Sequence, residues 1–405
     1  MSVMIERAAP PPHVPNDRVV DFDLYDPPAI NDGIHAAWLK LRDESAHRAM
    51  WTPRHGGHWL VLDGPAINRL YADHELLSSE VTVVPRPAMK APLGALNHDP
   101  PAHRDFRLLL NDGLGAKAVR ALEPRIRALA IDLIEGFRLR GHCEFVGEFA
   151  NVLPLSVFLT MVDIPLDDRA MLMTWVHEIT HPSGELDHDA VVVRFWDYLT
   201  PIIRERRARP RGDMISDIAA GTVFGRPLTD AEAMGACTHL MIAGLDTVAS
   251  FVGFVMQHLA QHPDQRRALA ADPDLIRPAI GEFLRRFPMV TMIRLVARDS
   301  ELDGITLRKG DLVALPSILA NLDPAIFPAP LAVDFARPTG PTATFGSGVH
   351  RCPGSPLARV EVRIILEEWL ARIPDFAVGD GGPRYGGGFV GTIDTLPLVW
   401  NAIGA

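Results

Sequence analysis

The sequence predicts a mainly α protein with small β-sheets, an α+β fold in one large domain. Helix-periodic apolar stretches follow one another from 117 to 208 and return between 229 and 287. Strand-like runs are few and short, such as His58–Leu62 and the stretch Ile305–Leu315. No low-complexity linker divides the 405 residues. Length alone allows two or three domains, but the uninterrupted pattern favours a single domain over 31–405 behind an extended arm, 1–30.

Composition narrows the function. Hydrophobic residues are 47% and charged residues 22%, an ordinary globular balance. The formal net charge of −10 gives no basic footprint for nucleic acid. Cys143, Cys237 and Cys352 lie far apart with no C-x-x-C pair, which argues against a disulfide framework and structural zinc. The proline-rich start, Met1 to Pro15, is neither signal peptide nor membrane anchor, so a cytoplasmic protein with no membrane segment is expected.

In chain order, residues 33–50 read as a helix with Ile34, Trp38, Leu39 and Leu41 on its apolar face, and 64–78 as another. Val81 to Asn97 is broken by Pro85, Pro87, Pro92 and Gly94, an irregular loop of the kind that touches ligands. Asp99 is placed to cap the next helix, whose first turn holds Pro100 and Pro101. His103 and Arg107, four apart, face one side of it. Helices are expected over Val119–Leu139, Leu155–Met161, Asp167–Ile179 and Asp189–Arg207.

Thr229 and Glu232 form a capping box that starts a long helix. Its middle reads Met241-Ile242-Ala243-Gly244-Leu245-Asp246-Thr247. An acid and a threonine are out of place in an apolar helix interior, and Gly244 weakens the helix and would let a ligand approach. His239 falls on the same face as Ala243 and Thr247; it is either a satisfied core histidine or a hydrogen-bond donor to a ligand. Glu282 and Arg285 share a helix face and can pair. A strand follows at Leu295–Ala297, and the tail from Phe389 to Trp400 reads as a terminal hairpin.

The chemistry concentrates in Phe345-Gly346-Ser347-Gly348-Val349-His350-Arg351-Cys352-Pro353-Gly354. Its glycines let the backbone turn and lie against something flat. Cys352 comes just before a helix-periodic run, where unpaired amides stabilise a thiolate able to bind a metal.

Phe-x-x-Gly-x-x-x-Cys-x-Gly resembles the haem-binding loop of the cytochromes P-450, whose cysteine is the axial iron ligand. The resemblance runs from Trp51 onward and is closest to the camphor-hydroxylating, class I bacterial branch. Gly56-Gly57-His58-Trp59, Leu284-Arg285-Arg286-Phe287 and Leu396-Pro397-Leu398-Val399-Trp400 recur there. It implies a triangular helical prism with haem b between the long I helix and the L helix. It also implies Cys352 as iron ligand; His103, Arg107, Arg294 and His350 as partners of the haem propionates; and Phe345, Gly346, Gly354, Ala243 and Gly244 as further haem contacts. Asp246 and Thr247 match the acid–hydroxyl pair that handles oxygen and protons. Glu282, Arg285 and Arg337 match a structural cluster.

The activity implied is hydroxylation of a small hydrophobic compound with dioxygen. The protein would be a monomer, served by a [2Fe–2S] ferredoxin and an NADH-dependent ferredoxin reductase, since no such module is expected in the roughly fifty residues after Cys352. Arg69, Arg104, Arg107 and Arg351 are the expected contacts for that acidic partner. The substrate pocket is assigned to Val83, Leu93, Leu96, His239, Ile242, Ala243, Val290, Met292, Phe389 and Val390. Three departures stand out. Pro87–Asn97 lacks the branch's camphor-binding tyrosine, Met292 replaces an acid, and Pro353 follows the ligand directly. The first two point away from camphor and toward a terpenoid or norisoprenoid ketone, ionone-like in shape. The third removes a backbone donor beside the sulfur. A peroxide-driven haem-thiolate enzyme and a non-enzymatic haem or terpenoid sensor are the alternatives.

Overall fold

The computed structural model describes residues 7–87, 93–180, 188–245, 247–338 and 340–401. The helices are α1 (Ile34–Glu44), α2 (Gly64–Ala72), α3 (Ala102–Leu108), α4 (Ala116–Arg138), α5 (Leu153–Met161), α6 (Arg169–Thr180), α7 (His188–Ala208), α8 (Asp230–Leu245), α9 (Thr247–Gln261), α10 (Ile276–Arg286) and α11 (Ser355–Arg372), with shorter turns between them. The strands that position the site are β1 (Ala49–Thr52), β2 (His58–Val61), β3 (Leu77–Ser78), β4 (His142–Glu144), β5 (Thr291–Val296), β6 (Leu312–Pro316), β7 (Ala377–Val378), β8 (Arg384–Gly386), β9 (Thr392–Thr395) and β10 (Pro397–Val399).

The largest sheet has the order β1-β2-β6-β5-β3. Only the β2–β6 pairing is parallel; Arg294 on β5 stands opposite Val313 on β6. The arm is bound to this sheet: the Val20 amide donates to the Trp51 carbonyl and Arg18 donates to the Ala49 carbonyl at 3.2 Å.

α4 lies along α11, and the pair is laced by Arg127 to Glu367 and Glu368, Arg363 to Glu123 and Arg372 to Glu135. Trp369 of α11 is fully buried among Phe137, Phe145 and Phe149. Such aromatic clusters bury much area per residue and favour tilted or edge-on contacts. The capping box closes as the spacing predicts: the Thr229 amide donates to Glu232 at 2.8 Å and the Glu232 amide to Thr229 Oγ1 at 3.2 Å. The helical stretch it starts, Asp230–Gln261, is long and apolar enough to cross a membrane, and most of it is buried inside the protein.

Several boundaries differ from the sequence reading. α1 ends at Glu44 because Ala49–Thr52 is taken into the sheet, and α2 ends at Ala72 before β3. β5 begins at Thr291, which places Arg294 within the strand. The tail is no hairpin: β9 pairs with β8, whereas β10 runs between β7 and β4. Alternation of apolar residues marks strands but does not say which partner each one takes.

Candidate active site

The loop carrying Cys352 is shaped by two glycines in the left-handed region, Gly346 at φ 66° and Gly348 at φ 65°. Gly346 faces the ring of Tyr71, and a Cβ on Gly348 would press on the backbone of Ala72, so α2 forms the floor of this turn. The Cys352 amide donates to the Phe345 carbonyl at 2.8 Å, closing the loop, and Arg359 of α11 sits 5.5 Å over the Phe345 ring.

The sulfur lies just ahead of α11 and takes hydrogen bonds from the amides of Gly354 and Ser355. Burial nevertheless raises the Cys352 thiol above its ordinary value, against those amides and the charges of Arg107 and Arg351. The amides favour the thiolate as the sequence suggests, but desolvation outweighs them, and a bound cation would tip the balance.

Around the cysteine loop gather four basic side chains from three segments: His103 and Arg107 from α3, Arg294 from β5 and His350 from the loop itself. His103 (α3) is buried, and its ring meets that of His350 edge-on at 4.4 Å. Its Nε2 is buried with no hydrogen-bond partner. Burial, aided by His350 and Arg107, pushes its pKa down to about 4. Arg294 (β5) is buried and, among the described residues, donates only to the neighbouring Ile293 carbonyl at 2.9 Å. Arg107 donates to the Arg351 carbonyl, and burial lowers its pKa too. Neither arginine meets a carboxylate among the described residues. Ser347 Oγ is likewise buried and unpartnered.

Sequence reasoning missed what holds His350. Ser79 Oγ lies 3.0 Å from its Nε2, and the Asp99 carboxylate lies 3.6 Å away. Asp99 does not cap α3. Its carboxylate accepts from Ser78 Oγ and from the Ser79 amide, while Pro101 precedes the helix with no side-chain cap. Burial would raise the Asp99 pKa, but His350, Ser78 and the Ser79 amide hold it at about 2. No signal in the sequence joins Ser79 to His350; the two are brought together by β3 and the cysteine loop.

On α8, Ala243 is exposed. Thr247, the first residue of α9, donates its hydroxyl to the Ala243 carbonyl at 3.3 Å. Asp246 lies outside the described residues. Gly244 is glycine for another reason than the sequence suggests: a Cβ there would collide with the ring of Phe158 from α5. Val83, Leu93, Leu96, His239, Ile242, Val290, Met292 and Phe389 are all half-buried. Val390 is buried and bridges to Val290. His239 feels Arg107 and His350, and burial leads these in pushing its pKa down to about 4.

Glu282 and Arg285 pair at 2.8 Å, and Arg337 donates to the same carboxylate at 3.0 Å. The cluster ties α10 to the segment before the cysteine loop, where Arg285 also holds the carbonyls of Pro330 and Ala332.

The chain as a whole resembles known proteins. Residues 169–373 match the family model described as cytochrome P450. The chain is 34% identical over 403 residues to "Probable cytochrome P450 127A1" of Sinorhizobium fredii, covering 96% of each protein. It is 30% identical to "Vitamin D(3) 25-hydroxylase" of Pseudonocardia autotrophica, over 86% of this chain and 88% of that one. Among solved structures, that of cytochrome P450 CYP101C1 superposes with a TM-score of 0.89 at 43% identity, covering 97% of this chain and 100% of that chain.

Proposed function

The chain belongs to the cytochrome P450 family of haem-thiolate monooxygenases, and on that premise we propose that it hydroxylates an unactivated C–H bond of a small terpenoid or norisoprenoid ketone. The reaction takes dioxygen and two electrons, delivered from NADH through a reductase and a [2Fe–2S] ferredoxin to a monomeric cytoplasmic enzyme. The observation that carries the reading is the cradle beside Cys352: the buried Arg294, the half-buried Arg107 and the orphaned His103 nitrogen, with no carboxylate meeting either arginine among the described residues. Burying charge without a partner is costly, so such a set is completed by an anionic ligand.

Haem b fits that demand, since it brings two carboxylates, a flat apolar face and an iron for the sulfur of Cys352. When bound, it supplies the oxygen-activating metal. His103, Arg107, Arg294 and His350 would hold its carboxylates. Phe345, Gly346 and Gly354 would line its cysteine side and Ala243 the other. The amides of Gly354 and Ser355 draw charge from the sulfur, with no contribution from Pro353.

Thr247 and Asp246 handle protons. The Thr247 hydroxyl is held by one long bond to Ala243, so it rotates at little cost to accept and pass a proton. The substrate lies against Val83, Leu93, Leu96, Ile242, Val290, Met292, Phe389 and Val390. In that apolar lining His239 is the polar member. Kept neutral by burial, its imidazole donates to a ketone oxygen and sets the substrate's orientation. Arg69, Arg104 and Arg351 are exposed, meet no carboxylate among the described residues and, with Arg107, present a basic face to an acidic ferredoxin.

A screen of terpenoids and ionones for the low-spin to high-spin shift of the ferric protein tests the substrate class. Thr247→Ala tests the proton step. With the reconstituted electron chain, product formed per NADH falls severalfold and peroxide appears; unchanged coupling removes Thr247 from the mechanism.

A further inference from the structure

Among the described residues, a half-buried arginine away from the cradle carries a similar signature. Arg18, Arg206, Arg266 and Arg285 are buried, and each meets a carboxylate: Asp303 at 2.7 Å, Asp213 at 3.0 Å, Asp375, and Glu282 at 2.8 Å. Arg286, at the end of α10, does not. Its Nε donates to the Leu331 carbonyl at 3.0 Å and its guanidinium lies 4.8 Å over the Phe287 ring. Its Nη1 is buried with no partner. The neighbouring carboxylate, Glu282, is already taken by Arg285 and Arg337.

Arg286 lines a cleft of about 290 Å³ between α1, α9 and the end of α10. The cleft holds further polar groups. His258 stacks on His262 at 3.9 Å and is fixed by Gln265 at 2.7 Å, and Gln261 stands beside them. Burial pushes the pKa of His258 down to about 4, with His262 and Arg286 adding to the effect, so His258 is a neutral hydrogen-bonding group beside the guanidinium. Asp32 also lines the cleft and acts on Tyr385. One cation and one acid in the same cleft suit a compact anion rather than an extended polyanion.

We propose that this cleft is a second ligand site, taking a small oxyanion, phosphate or carboxylate, on Arg286. A cleft of this size leaves room for more than the anionic group itself. The oxyanion supplies the acceptor that Nη1 lacks. The site is independent of the haem reading, because none of these side chains belongs to the cradle.

Calorimetric titration of the haem-loaded, full-length protein tests it, with sodium phosphate and sodium malonate each set against sodium chloride of equal ionic strength. Saturable binding of phosphate alone, malonate alone or both supports the site and identifies its chemistry. Arg286→Gln weakens that binding at least about tenfold, the loss expected for one charge-assisted pair, and Arg286→Lys keeps part of it. No heat above the chloride control in the wild-type protein overturns the proposal whether or not the variants fold. Wild-type binding in folded Arg286→Gln overturns it as well.

Discussion

Arg285 and Arg294 are both buried, one in the last turn of α10 and the other in β5. Arg285 meets Glu282 through two nitrogens at 2.8 Å and gives its remaining donors to the carbonyls of Asn321, Pro330 and Ala332. Among the described residues Arg294 has one bond, to the carbonyl of the preceding residue. The chain completes the first guanidinium and leaves the second open. The contrast separates two uses of buried charge: a structural charge finds its counter-ion within the fold, whereas a ligand-holding charge waits for one from outside.

Substitution at each pole sharpens the contrast. Arg285→Ala leaves Glu282 buried beside Arg337 alone, and removing one partner of such a pair costs about 3–5 kcal/mol. Its expected result is loss of soluble, haem-loaded protein, read as yield and thermal midpoint. Arg294→Leu removes a cation that lacks a partner in the chain. The haem-free protein should keep its thermal midpoint, while haem passes to an acceptor globin about tenfold faster, as expected for one lost charge-assisted bond. A drop in haem-free stability as large as that of Arg285→Ala would erase the distinction. The smallest effect is reserved for the sulfur. Pro353→Leu adds an N–H next to the amides of Gly354 and Ser355. It should raise the reduction potential of the haem; an unchanged or lower potential with haem intact contradicts that view of the loop.

Much of this was readable before any coordinates. The capping box, the Glu282–Arg285 spacing and the glycine-rich cysteine loop are local patterns, and local patterns fix local geometry. What escaped depends on partners distant in the chain. Asp99 has the look of a helix cap, yet Ser78 and Ser79 take its carboxylate because β3 passes beside it. Gly244 has the look of a ligand-facing gap, yet Phe158 fills the space. The tail alternates like a hairpin, yet its halves join two sheets. In each case the residue type was informative and the partner was not encoded nearby.

The bond from the Cys352 sulfur to iron is the claim on which the other assignments depend. Reducing the haem-loaded protein and adding carbon monoxide tests it directly. The strongly red-shifted absorption band of thiolate-ligated haem is the predicted result. A folded, haem-loaded protein in which that band never appears would contradict the assignment of Cys352 and the proposed function with it.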